Sequence, residues 1–216
     1  MTGLVAHGRG EAFDYLLGER SRPFARAASK AAAAQLLLAN QPIISTNGNT
    51  SVLVPSEMIE LGKALEADIE INLFHEAPSR RSAIKKHFRE FGLTRILGVK
   101  PDASIRGLTS ARGNVDSRGM LSADVVLVSL EDGDRTELLM QNGKKVVAID
   151  LNPFSRTPCK ADIPIVDNVS RAIPLITEYV ERMKNYSPVR LQRVLDSFDK
   201  KKVLKDAEAC IRKGKL

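Results

Sequence analysis

The chain has 216 residues, 43% of them hydrophobic, enough for one α/β domain with a substantial core. Its net charge of +7 is confined to residues 182–216, where eleven Lys and Arg face four Asp and Glu; residues 1–181 are neutral. A nucleic-acid-binding body carries its basic patch within the domain, so nucleic acid is not the expected partner, and Arg182 to Leu216 reads as a solvated amphipathic tail. The most apolar stretch, Ala31 to Ala39, is too short to span a bilayer, so no membrane contact is expected. No secretory signal opens the chain, and Cys159 and Cys210 lack framework spacing, which points to a reducing cytoplasm. His7, His75 and His87 are not at metal-ligand spacing, which argues against zinc.

The opening Gly3 to Leu17 reads as a glycine-spaced turn leading into a helix that ends near Gly18. Glycines around Arg9 allow close backbone approach to a ligand; Arg9 is either a phosphate ligand or a surface residue. Pro23 suits the first turn of an alanine-rich helix, Pro23 to Asn40. Its small side chains suit the core or a dimer interface. Ser45-Thr46-Asn47-Gly48-Asn49-Thr50-Ser51 is a turn by composition. It is either a plain β-turn or a neutral hydrogen-bonding loop for a hydroxylated or carboxylated substrate. Ser56 is the expected cap of the next helix, followed by a strand from Ile69 to Phe74. A helix from Arg80 to Phe91 places two arginines in a first turn, which hints at an anion. Arg95 to Val99 predicts a further strand.

Lys100 to Leu121 is the longest irregular stretch, with Arg106, Arg112 and Arg118 spaced among glycines. It is either an anion-binding flap or a mobile loop. The least ambiguous strand, Ala123 to Leu130, ends in Glu131-Asp132-Gly133-Asp134-Arg135-Thr136 and a helix to Asn142. There Asp134 suits the helix N-terminus, and Asp132 is the candidate for a metal or an amine.

Val146 to Ile149 reads as a strand buried on both faces, ending in Asp150-Leu151-Asn152-Pro153-Phe154-Ser155-Arg156-Thr157. A second run, Ile163 to Val166, ends in Asp167-Asn168, with Ser170 placed to cap a helix reaching about Lys184. Ligands of open α/β sheets sit beyond the carboxyl ends of strands. These two ends offer carboxylates, amides, a guanidinium and a helix N-terminus, which suits a sugar and its phosphates; two ordinary polar loops are the alternative. Strand and helix alternate at least four times, which predicts a doubly wound α/β sheet. Neither a Gly-x-Gly-x-x-Gly turn nor a Walker A sequence occurs.

The turn from Ser45 to Ser51, the run Ser122 to Val128 with Glu131 to Thr136, and Ala148 to Pro153 with Ser155-Arg156-Thr157 and Val166-Asp167-Asn168-Val169 together resemble the archaeal phosphopantothenate synthetase family. The resemblance spans roughly Gly3 to Lys184. It implies a Rossmann-like, mostly parallel sheet with flanking helices in residues 1–184, with 185–216 as a basic helical tail. The implied protein is a homodimeric 4-phosphopantoate–β-alanine ligase of coenzyme A biosynthesis that uses ATP with Mg²⁺ and releases AMP and pyrophosphate. The family's ATP contacts fall on Asp150, Leu151 and Asn152, then Arg156 and Thr157, then Asn168 and Val169. An arginine of its His-Gly-Arg-Gly-Glu-Ala-Phe-Asp-Tyr motif matches Arg9. In the family a helical segment with another nucleotide-contacting arginine precedes that motif. Here Met1-Thr2 runs straight into it, which suggests a misassigned start codon or a shortened paralogue.

The implied route runs through an acyl-adenylate, with the β-alanine amine displacing AMP. Charge then develops on phosphate and carboxylate oxygens, so Arg156 and Arg112 are the candidates to meet it. Asp132 would orient the ammonium of β-alanine, and Asn47 and Asn49 would face phosphopantoate. A non-catalytic nucleotide-binding regulator is the competing class.

Overall fold

The computed structural model describes residues 2–75, 77–107 and 113–213, with side chains from Gly10 onward. Helices α1 (Thr2–Leu17) and α2 (Pro23–Leu38) lead into β1 (Pro42–Thr46), the single turn α3 (Thr50–Leu53), α4 (Pro55–Leu65) and β2 (Asp68–Ile71). After α5 (Pro78–Glu90) come a two-stranded ribbon, β3 (Ala103–Ser104) and β4 (Asn114–Val115), then β5 (Val125–Ser129), α6 (Gly133–Gln141) and β6 (Lys145–Ile149). A short α7 (Arg156–Lys160) and β7 (Ile163–Ile165) precede α8 (Val169–Met183), α9 (Pro188–Asp196) and α10 (Lys200–Lys213).

Five strands form one sheet in the order β2-β1-β5-β6-β7, every pairing parallel. This is the expected Rossmann-like α/β fold. From β1 the chain steps outward to β2, then returns past β1 to β5 and continues to β6 and β7. The direction therefore reverses between β1 and β5, the place where such sheets open a crevice beyond their carboxyl ends. Alternate strand residues serve two cores. Ile44, Val125, Leu127, Val147 and Ile149 face the side covered by α2, α4 and α8. Ile43, Val126, Val128, Val146 and Ala148 face the other, under α6 and the 97–120 segment.

Ala31 to Ala34 of α2 are fully buried. Without side chains beyond Cβ, α2 approaches α8, α9 and β7 closely, so this helix is core. Four expectations change. The opening glycines do not form a turn, because α1 is helical from Thr2. Each glycine costs about 1 kcal/mol in a helix relative to alanine, and docking of Phe13, Asp14 and Leu17 outweighs that locally. Arg95 to Val99 supplies a single bridge, Leu97 beside Glu70, not a strand. Gly98, at φ +72°, turns the chain away beneath Ile71 O. Within the stretch Lys100 to Leu121, Ala103–Ser104 and Asn114–Val115 pair as the antiparallel β3–β4 ribbon.

The C-terminal stretch is helical, as expected, but not a freely solvated tail. Leu191 of α9 and Val203 and Ala207 of α10 are buried in the same core as α2. No helix among the described residues is long and apolar enough to cross a membrane.

Candidate active site

The turn after β6 is a chain of short local bonds. Asp150 N–H donates to Ile165 O at 3.1 Å, which ties the turn to β7. The Asp150 carboxylate accepts from Ser155 Oγ at 2.5 Å and from Asn152 N–H at 2.9 Å. Burial pushes its pKa up, and those two hydrogen bonds pull against it. Asn152 Oδ1 accepts from Phe154 N–H at 3.0 Å. The turn is thus folded around its own Asp and Asn side chains, as Asx turns are. It ends in α7, where Thr157 is buried and its hydroxyl donates to Glu131 O at 2.7 Å. Arg156 points toward α6 and pairs with Asp134, both side chains about 60% exposed.

The turn after β7 is built the same way. Asn168, not Ser170, caps α8: its Oδ1 accepts from Ser170 N–H at 3.1 Å and from Ser170 Oγ at 2.9 Å. Its Nδ2 donates to Asp14 of α1 at 2.9 Å. Helix α1 therefore lies across the ends of β6 and β7. Gly10 and Glu11 from α1, Leu130, Leu151, Asp167, Asn168 and Val169 line one narrow pocket there, about 20 Å³ in volume. A Cβ on Gly10 would stand 3.5 Å from Leu151 Cδ1. Leu130 has φ +53°, a conformation that a branched side chain adopts at a cost of about 1–3 kcal/mol and that clusters at functional sites.

At the reversal point, Asn47 Nδ2 donates to Ser129 O at 2.9 Å, joining the ends of β1 and β5. Its Oδ1 accepts from Asn49 N–H at 2.9 Å and Thr50 N–H at 3.1 Å. Asn47 is thereby committed to shaping the loop. Asn49 precedes α3 with no side-chain capping bond. Asp132 caps α6, accepting from Arg135 N–H at 2.8 Å. Asp134 lies in the first turn of α6, as expected, and also pairs with Arg156.

Leu151, Asn168 and Val169 thus meet in a single pocket, with Asp150 and Asn152 in the adjoining turn. Arg156 and Thr157 stand at its far end, on α7, directed at α6 and Glu131. Asn47, Asn49 and Asp132 occupy the neighbouring strand ends. Arg9 lies in α1 next to Gly10, its side chain outside the described set; Arg112 falls outside the described residues. Among the described residues no group of three or more His, Cys, Asp or Glu could hold a metal ion.

Several polar groups around the site escaped sequence reasoning. Arg135 is buried, with Nη2 donating to Asn72 Oδ1 at 2.5 Å. Glu70 is fully buried on β2; it accepts from Asp116 N–H at 3.0 Å and Met120 N–H at 2.5 Å. Burial pushes its pKa up to about 7, against those hydrogen bonds and the Arg135 charge. A side chain at Gly119 would collide with Glu70 Oε2, so glycine there permits the close approach. The available signal was a charge within an otherwise apolar strand, Ile69-Glu70-Ile71.

Comparison with known proteins agrees with this architecture. The chain is 51% identical over 212 residues, 98% of its length, to the 4-phosphopantoate–β-alanine ligase of Thermococcus onnurineus, covering 81% of that protein. Identity to the ligase of the same name from Thermococcus kodakarensis is also 51%, with the same coverage. The Methanosarcina mazei protein of that name is 46% identical over 207 residues, 96% of this chain and 81% of the relative. The phosphopantothenate/pantothenate synthetase profile matches residues 24–214, from α2 through α10. With its sheet, strand-end turns and C-terminal helices all inside that match, the chain belongs to the phosphopantothenate/pantothenate synthetase family.

Proposed function

We propose that this chain is an ATP-dependent ligase of coenzyme A biosynthesis that joins 4-phosphopantoate to β-alanine, giving 4′-phosphopantothenate, AMP and pyrophosphate. The observation that carries the reading is the convergence of Leu151, Asn168 and Val169 on one pocket at adjacent parallel strand ends, in a chain half identical to ligases of that name. Asp150, Leu151 and Asn152 with Asn168 and Val169 form the nucleotide cradle, and Arg9 approaches it from α1. Backbone N–H groups at the start of α8 favour the negative charge of a nucleotide.

Arg156 and Thr157 take the phosphate end. In the free protein Asp134 holds Arg156, and polyphosphate competes for that guanidinium. Amide formation needs an activated carboxylate. Attack of the phosphopantoate carboxylate on the α-phosphate gives an acyl-adenylate and releases pyrophosphate; attack by the amine of β-alanine then expels AMP. Arg156 and Arg112 offset charge growing on the transferring oxygens. Asp132 orients the ammonium, and the Asn47–Asn49 turn faces phosphopantoate. Mg²⁺ would enter with the ATP phosphates and supply positive charge to their oxygens. The protein works as a cytoplasmic homodimer.

Exchange of labelled pyrophosphate into ATP, dependent on phosphopantoate and independent of β-alanine, is the expected result. ATP binding with no exchange and no AMP would identify a nucleotide-binding regulator instead.

A further inference from the structure

Arg171 stands in the first turn of α8, where the helix dipole disfavours a cation. Two carboxylates hold it there. Asp14 of α1 accepts from Nη1 at 3.1 Å and from Nη2 at 2.5 Å. Asp167, four residues upstream, accepts from Nε at 2.9 Å. The other oxygen of Asp167 accepts from Ser21 Oγ at 2.5 Å, in the turn that follows α1. Asp14 also accepts from Asn168 Nδ2. Both carboxylates are nearly buried, Asp14 at 7% and Asp167 at 2% exposure. A planar guanidinium is suited to bridging two such groups at once, as an ammonium is not.

The consequence is geometric. Helix α1 presents Tyr15 and Leu16 to solvent, and of its described apolar side chains only Phe13 and Leu17 join the core. Helix α1 also packs on α10, but its hydrogen-bonded attachment to the strand ends runs through Asp14, Ser21 and their partners. The same attachment brings Gly10 against Leu151 and sets Glu11 at the pocket wall. It also fixes the Asn168 amide, with Nδ2 on Asp14 and Oδ1 on Ser170.

We propose that Arg171 is a positioning residue for nucleotide binding: through Asp14 and Asp167 it seats α1 as one wall of the pocket at the ends of β6 and β7. The proposal rests on reading that pocket as the ATP site. Arg171 acts through α1 and Asn168, so its loss loosens the wall and leaves the reacting groups in place.

The test uses the full chain and the variants Arg171→Lys, Asp14→Asn and the milder Ser21→Ala. Amide hydrogen exchange of residues 11–17 is read together with the Kd for ATP by titration calorimetry and with steady-state kinetics. For Arg171→Lys, faster exchange in α1 and about tenfold weaker ATP binding are expected. The kcat and the KM for β-alanine should stay within about twofold. Asp14→Asn should act in the same direction, and the double variant should be little worse than the worse single, since both break one interaction. Ser21→Ala should give a smaller change of the same sign. Unchanged ATP affinity despite faster α1 exchange would overturn the proposal. So would a proportional fall of all kinetic parameters tracking lost thermal stability. A chain that binds ATP but ligates nothing would sink the reaction assignment and leave this proposal standing. A wild-type chain without affinity for ATP would overturn the proposal itself.

Discussion

Arg156 and Asp134 form an exposed pair, which by itself adds little to stability because solvent screens it. The value of Arg156 lies in what displaces Asp134. Arg156→Ala should lower kcat/KM for ATP by about thirtyfold, the loss of a charge-assisted contact of about 2 kcal/mol. Asp134→Asn frees the guanidinium and should lower the KM for ATP by no more than about threefold. If both variants match wild type in steady-state assays, Arg156 does not touch the phosphates. Glu70 carries a different prediction. Its folded pKa, about 7, stands above the ordinary 4.5, so the folded chain holds that proton more tightly than the unfolded chain. The stabilising contribution is full below about 4.5 and is lost as pH rises through 7. Glu70→Gln removes this titration. Denaturant unfolding should show the variant gaining about 3 kcal/mol on wild type between pH 4.5 and 7.5; a constant difference would show that Glu70 stays ionised. The Glu70 partnership was not legible in the sequence, since its donors are 46 and 50 residues downstream. Asp150 and Asn168 were legible because their chemistry follows directly on an apolar run.

Strands β5, β6 and β7 follow from short β-branched stretches, which only a sheet buried on both faces accommodates. The end of α1 near Gly18 followed, but its first turns did not, because glycine is a poor local guide once tertiary contacts hold a segment. The helix caps moved by one or two residues for a similar reason: Asn168 outcompetes Ser170 because its amide reaches Asp14 as well. Helices α9 and α10 were misread on charge. Their Lys and Arg lie outward, while Leu191, Val203 and Ala207 face α2. Burying even two large aliphatic side chains contributes about 3–6 kcal/mol, a large share of a domain's stability. A chain ending at Lys184 should therefore melt more than about 10 °C lower by calorimetry. Because α10 also packs on α1, its affinity for ATP below that temperature should fall, while kcat should change little, since none of the strand-end turns is removed. An unaltered melting point would mean that the two helices are only loosely applied.

At the scale of the molecule, the doubly wound order was legible from the alternation of elements, and the strand-end location of the site followed from that order. The position of the 1–184 boundary has a physical test. Helix α2 touches α8, α9 and α10 alike, so the C-terminal helices and the sheet share one core. Unfolding should be a single cooperative event, with equal calorimetric and van't Hoff enthalpies and coincident circular-dichroism and calorimetric midpoints. An early separate transition would mark residues 185–216 as an independent unit.

The bond between Asp14 and Arg171 spans 157 positions of the chain. During synthesis α1 is made long before its anchor on α8. Until then the nascent chain has a sheet under construction and no closed cleft. A fragment ended before Asp167 should therefore bind no nucleotide, which ATP titration would check.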